Sequence, residues 1–239
     1  MRVVMWSGPR NLSTALMRSF GARSDADVVD EPFYAAYLAA TGLDHPMRDA
    51  ILAAQPADWA QVAAACAAPP PPGRVRYEKH MTHHMIPGAP LDWMRGAAVA
   101  FLIRDPAEVA ASYAAKRRRF RLDDLGFERQ AQLFEHAQAL LGRPPPVVDA
   151  ADIRRAPRRT LAALCAALGL PFDPAMLAWP PGRRASDGVW AAHWYGAVEA
   201  STGFAPPGPP PRLCAETDRL IAPARALYRD LHARRLAPA

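Results

Sequence analysis

Lysine is nearly missing from this chain. Lys79 and Lys116 are the only two, so the formal net charge of +6 is carried by arginine. The arginines are scattered along the chain rather than gathered in a tail. That pattern favours a small anionic or phosphorylated partner over a nucleic acid or a membrane surface. Cysteine is scarce as well. Cys66, Cys165 and Cys214 stand far apart, which excludes a zinc-finger spacing and a disulfide framework and suggests three reduced core thiols. No apolar run approaches the ~20 residues needed to span a bilayer. Met1 to Trp6 is apolar but stops at Ser7-Gly8-Pro9-Arg10, too short for a secretory h-region. These absences point to a soluble cytoplasmic protein with no membrane or nucleic-acid partner. Two nucleotide signatures are also absent. No Gly-Lys-Ser/Thr closes a Walker A loop, and no Gly-x-Gly opens a dinucleotide fingerprint.

What is present is alternation of strand and helix signals, without an internal repeat. Val3–Trp6, Val28–Val29, Val75–Tyr77, Ala97–Ile103 and Pro146–Val148 read as short buried strands. Helical spacing follows at Leu12, Leu16 and Phe20, and again over Tyr34–Cys66 with breaks near Gly42 and Pro56. After a stiff Pro69–Pro72 linker and the next strands, Asp105 and Pro106 form a cap and first turn of a helix expected to reach Arg119. Further helices are expected over Phe127–Leu141, around Leu161–Leu168 with Gly169 closing it, and as one final helix carrying Leu220 to Leu231. The expectation is one α/β domain over residues 1–239, a three-layer α/β/α sandwich on a mostly parallel sheet. A helical insert occupies about 34–68, and a Pro/Trp-rich, lid-like segment about 176–211. In such sheets ligands sit at the carboxyl ends of the strands.

Two segments at those ends carry chemistry. The first is Ser7-Gly8-Pro9-Arg10-Asn11-Leu12-Ser13-Thr14. Gly8 would allow an unusual turn, Ser13 and Thr14 would open a helix whose free N–H groups attract an anion, and Arg10 would add a forked cation. The plainer reading is an ordinary strand-to-helix turn. The second segment runs from Phe101 to Tyr113, with Arg104 at the end of a buried strand and Ser112 two turns into the next helix. Together they could hold a second phosphate at a fixed distance from the first. A structural ion pair for Arg104 and a surface serine for Ser112 are the bland alternatives.

Taken together the two segments resemble the sulfotransferases that use 3′-phosphoadenosine-5′-phosphosulfate (PAPS), a P-loop-related group. Arg10, Ser13 and Thr14 resemble that family's 5′-phosphosulfate loop, and Arg104-Asp105-Pro106 with Ser112 resembles its 3′-phosphate motif. Similarity continues through Val148–Asp152 and Leu164–Pro171. Arg10 stands where the family usually has lysine, and Arg183-Arg184 with Gly188 and Trp190 partly replaces a late Arg-Lys-Gly motif. The resemblance is nearest to a divergent bacterial subgroup, some of whose members carry aminotransferase-like labels. No lysine context for pyridoxal phosphate accompanies it. It implies PAPS as donor, PAP as product, no metal, and a small-molecule hydroxyl or amine as acceptor. The acceptor's proton needs a base. Glu31, after the second strand, is one candidate, and His80 or His83 of the 80–84 cluster is the other. Lys79 matches a family lysine there, whereas Met81 takes the place of the usual histidine. Trp179, Trp190, His193, Trp194 and Tyr195 would either pack a lid or wall a ring. A small-molecule kinase and a non-catalytic nucleotide-binding module are the rival functions. The acceptor and the oligomeric state are not legible.

Overall fold

Val3 and Met5 pack into one apolar cluster and Val4 and Trp6 into another, all without exposed surface. That split is what a period of two produces when both faces of a sheet are covered. The same alternation holds on a second strand, where Ala100 and Leu102 join the first cluster and Val99, Phe101 and Ile103 the second. The computed structural model describes residues 1–115, 117 and 119–237.

The strands are β1 (Arg2–Ser7), β2 (Ala26–Asp30), β3 (Val75–Met81), β4 (Ala98–Ile103) and β5 (Val147–Asp149). They form a parallel sheet of order β2-β3-β1-β4-β5. The order reverses around β1, so the chain leaves β1 and β4 on opposite sides of a crevice at their carboxyl ends. Helices α1 (Ser13–Gly21), α2 (Tyr34–Thr41), α3 (Arg48–Ala54), α4 (Trp59–Ala67), α5 (Pro106–Ala114), α6 (Phe127–Leu141), α7 (Ala150–Arg155) and α8 (Pro157–Leu168) cover the two faces. This is the α/β architecture expected from the alternating signals.

Local sequence explains most boundaries. The Asp105 carboxylate accepts from the Ala107 N–H and Pro106 opens α5, while left-handed Gly169 ends α8. Three expectations are corrected. α5 stops at Ala114 rather than Arg119, ahead of a run of like charges that a continuing helix would stack three and four apart. Of that run, Lys116 and Arg118 lie outside the described residues. The last helix is two, Ala215–Leu220 and Ala222–Ala233, because Pro223 has no N–H to continue the ladder. Cys66 and Cys165 are buried, but Cys214 is exposed. The lid-like segment holds short helices at Ala191–Trp194 and Gly196–Glu199 and an antiparallel bridge between Ala178 and Gly203. No helix among the described residues is long and apolar enough to cross a membrane.

Candidate active site

The loop after β1 bends through backbone conformations that side chains rarely adopt. Arg10 has φ +62° and Leu12 φ +72°, and Glu31, after β2, has φ +44°. Such strain persists only where the surroundings enforce it, and it concentrates at functional sites. All three residues line cavities at the carboxyl end of the sheet. The glycine in this loop serves space rather than dihedral freedom. A Cβ on Gly8 would stand 2.8 Å from the Leu125 carbonyl oxygen, so the loop lies against that turn. Asn11 fixes the other side by donating to the Leu102 carbonyl at 3.2 Å. Leu12 gives α1 no side-chain cap, which leaves the first N–H groups of the helix free beside Ser13 and Thr14.

Two cavities meet at this loop and share Arg10, Ser13, Thr14, Trp194 and Tyr195. The wider, of about 320 Å³, is cationic: its charged lining residues are Arg10, Arg104 and Arg154. Arg10 Nε donates to Ser112 Oγ at 3.0 Å, and Arg104 Nη1 donates to the Arg10 carbonyl at 2.7 Å. Arg104 is oriented from behind by Glu108, at 2.8 Å. Burial, together with the neighbouring Arg104 charge, holds the Arg10 guanidinium below its ordinary pKa. An anion between them would relieve that repulsion.

The narrower cavity, of about 80 Å³, is lined by Glu31, Lys79, Tyr34, His83, His84 and Tyr113 among others. Here four ionisable groups, Asp30, Glu31, Lys79 and Tyr195, are buried together. Lys79 Nζ donates to Asp30 at 2.9 Å, to Glu31 at 2.6 Å and to the Tyr195 hydroxyl. Tyr195 Oη in turn donates to Asp30 and accepts from Trp190 Nε1 at 3.1 Å. Every polar hydrogen of this knot is used. Burial, reinforced by Asp30 and opposed by Lys79, raises the Glu31 carboxyl to about 7. The two carboxylates and Tyr195 overcome desolvation and hold the Lys79 ammonium well above its usual pKa. His83 and His84 are driven the other way by burial, His83 to about 3, so both imidazoles are neutral. His84 stacks between Tyr34 and Tyr37 and brings Nε2 to 3.9 Å from Glu31.

This arrangement is a cationic arm joined to a buried carboxylate. A model of the sulfotransferase domain matches residues 1–235. The chain belongs to the sulfotransferase-domain family. Two relatives from Arabidopsis thaliana, the branched-chain-amino-acid aminotransferase-like proteins 1 and 2, are 38% and 36% identical over 87% and 84% of this chain. The chain spans little over a third of their length, 37% and 36%. Two solved structures share the fold. The sulfotransferase domain from the curacin biosynthetic pathway aligns with TM-score 0.53 at 18% identity, covering 92% of this chain and 96% of its own. The sulfotransferase domain from the Synechococcus PCC 7002 olefin synthase aligns with TM-score 0.58 at 17% identity, covering 99% and 96%.

The sulfotransferase fold distributes the residues singled out in the sequence unevenly. Pro9, Arg10, Leu12, Ser13, Thr14, Glu31, His83, Arg104 and Ser112 line the two cavities. Ser7, Gly8 and Asn11 shape the loop from beneath, Ser7 being fully buried against Met81. His80 does not reach either cavity. β3 continues to Met81, so Lys79 and His80 point to opposite faces, and His80 is buried between Trp6 and Trp93 with Nε2 3.0 Å from Glu78. Arg183 and Arg184 also stay outside. Arg184 binds backbone carbonyls of its own turn, including those of Gly182 and Arg183, and Arg183 faces Glu199 at 3.7 Å. Gly188 lies against the Trp190 ring, and its N–H donates to Asp30 at 3.2 Å. No motif in the chain points to Arg154, or to Asp30 and Tyr195 as partners of Lys79.

Proposed function

We propose that this domain transfers a sulfuryl group from PAPS to a hydroxyl or amine of a small acceptor, with Glu31 as the base. The observation that carries this reading is the junction itself: a cleft whose charges, among the described residues, are all arginine opens onto a buried carboxylate of raised pKa. The residues fit a donor with two separated phosphate ends. The uncapped start of α1, Ser13, Thr14 and Arg10 would hold the 5′ end, while Arg104 and Ser112 would hold the 3′-phosphate. PAPS would supply the sulfuryl group, its bond to the bridging phosphate oxygen breaking as the bond to the acceptor forms. Arg10 then stabilises the charge left on that oxygen, without giving up a proton. Glu31 takes the acceptor's proton, and Lys79 holds the carboxylate toward the narrow cavity at 2.6 Å. The neutral His83 and His84 do not compete for that proton at pH 7. The acceptor would enter between α2 and the lid-like segment, against Tyr34, Tyr113 and Trp194.

An aminotransferase chemistry like that in the relatives' names finds no support in Lys79, whose three N–H bonds are all engaged. The test is thermal stabilisation by PAP, Mg²⁺–ATP and NAD, followed by PAPS turnover with a panel of small hydroxyl and amine acceptors. PAP alone should stabilise the protein. Tighter binding of Mg²⁺–ATP would instead identify a phosphotransferase. PAP binding without turnover on any acceptor would mark a non-catalytic module.

A further inference from the structure

Arg154 belongs to α7, the helix that leaves the strand next to β4. It lines the cationic cleft together with Arg10 and Arg104. Its Nη1 lies 3.8 Å from the Glu108 oxygen that Arg104 contacts at 2.8 Å, so one carboxylate draws both guanidiniums together. Its other donors cross to the lid-like segment: Nε to the Ala205 carbonyl at 3.0 Å and Nη2 to the Pro206 carbonyl at 2.6 Å. Ser201, Gly203 and Ala205 of that segment form part of the cleft wall. One side chain thus touches the cationic cleft and the strap, residues 201–206, that forms part of its wall. The charges also balance in a telling way. Among the described residues three guanidiniums face the cleft against the Glu108 carboxylate, an excess of two. A phosphate monoester carries about −1.5 to −2 at neutral pH, whereas a diester carries about −1.

We propose that Arg154 is a specificity-determining residue that reads a terminal phosphomonoester, the 3′-phosphate of the donor, and pins the 201–206 segment over it. This rests on the PAPS reading above. Nη1 turns from Glu108 toward the phosphate, while Nε and Nη2 keep the strap in place. The 3′-phosphate and the strap therefore stabilise each other through one guanidinium. This supplies the cation that Arg183 and Arg184, held outside the cleft, do not bring.

The test is calorimetry of PAP and of AMP, which lacks the 3′-phosphate, on the wild-type chain, R154A and R154K, with hydrogen exchange at 201–206. In the wild type PAP should bind more tightly than AMP and slow exchange in the strap. R154A should lose roughly 10- to 100-fold in PAP affinity, as expected for one charge-assisted contact. It should bind AMP within about twofold of wild type and show no PAP-dependent protection of the strap. R154K should recover part of the affinity but not the protection, because an ammonium has no fork to span both partners. Equal losses for PAP and AMP in R154A, or no loss, would overturn the assignment. A wild-type chain that does not prefer PAP over AMP would overturn the donor reading with it. An R154A protein that fails to fold leaves R154K to decide through the same pair of ligands.

Discussion

Glu31 and Lys79 meet at 2.6 Å where both are buried, yet the carboxyl is held near 7 while the ammonium stays charged. Burial acts on both, but Lys79 has two carboxylates and a phenol around it, whereas Glu31 has Asp30 beside it as a rival anion. The pair is therefore a base that ionises near neutrality. The profile of kcat/KM against pH should rise through a limb near 7, rather than near the 4.5 of an ordinary glutamate. Glu31→Gln should lower kcat by roughly 10²- to 10⁴-fold and remove that limb, with PAP affinity within about twofold. A Gln variant that keeps its limb would assign the base elsewhere.

Lys79 neutralises two carboxylates at once. Lys79→Met would leave Asp30 and Glu31 side by side without a cation, a loss of about 3–5 kcal/mol. For a chain of this size that is roughly 6–20 °C in Tm. The sign of the pH effect is opposite to ordinary acid denaturation. A carboxyl whose folded pKa lies above its unfolded value binds protons more tightly when folded, so its contribution to stability falls as pH rises from the unfolded to the folded pKa. The Tm deficit of the variant relative to wild type should accordingly be smaller at pH 5 than at pH 8, the buried neutral histidines being common to both proteins. A deficit that instead shrank as pH rose across this range would contradict the unpaired carboxylates.

Arg104 has a double task, holding the Arg10 carbonyl at 2.7 Å and facing the cleft. Arg104→Ala should weaken PAP binding about 10- to 150-fold, the equivalent of roughly 1.5–3 kcal/mol. The loss should shrink as salt is raised, since the contact is ionic. An unchanged affinity by calorimetry at low salt would remove Arg104 from the anion arm.

Features encoded locally were legible in the chain. The β4 run, the Asp105–Pro106 cap, α6 from Phe127 to Leu141 and the Gly169 stop each follow from a period or a turn residue within a few positions. The parallel sheet followed from their alternation. The loop Ser7–Thr14 and the Arg104–Ser112 spacing could be read for the same reason, since each lies on one strand–helix unit. What stayed hidden depends on pairs far apart in sequence. Tyr195 meets Asp30 across 165 residues, and Arg154 meets Ala205 across 51. No period announces such contacts. His80 is the instructive miss: ending β3 at Tyr77 left its direction open. Extending that strand to Met81 would have set Lys79 toward the site and His80 away from it.

The lid-like segment is held to α1 by one ion pair that the sequence does not suggest. Arg18 grips Asp187 with both terminal nitrogens, Nη2 to Oδ2 at 2.7 Å, and both side chains are buried. Burial raises the Asp187 carboxyl, but the bonds from Arg18 and from the Arg184 N–H outweigh it and hold its pKa below the usual range. The next residue, Gly188, donates to Asp30 of the Lys79 knot. Removing the pair should therefore disturb the site from a distance. Asp187→Ala leaves the Arg18 charge buried alone and should cost about 3–5 kcal/mol, with faster hydrogen exchange over 184–195. Because the folded pKa of Asp187 is depressed, its stabilisation is complete above the unfolded value of 3.8 and is lost as pH falls through the folded one. The wild-type and variant Tm values should thus converge on acidification. Replacing both partners, Arg18→Met with Asp187→Leu, should recover most of the stability, since no unpaired charge remains. Lost PAPS turnover in that stable double variant would show that the pair orients the lid-like segment for function. Full turnover would confine its role to stability.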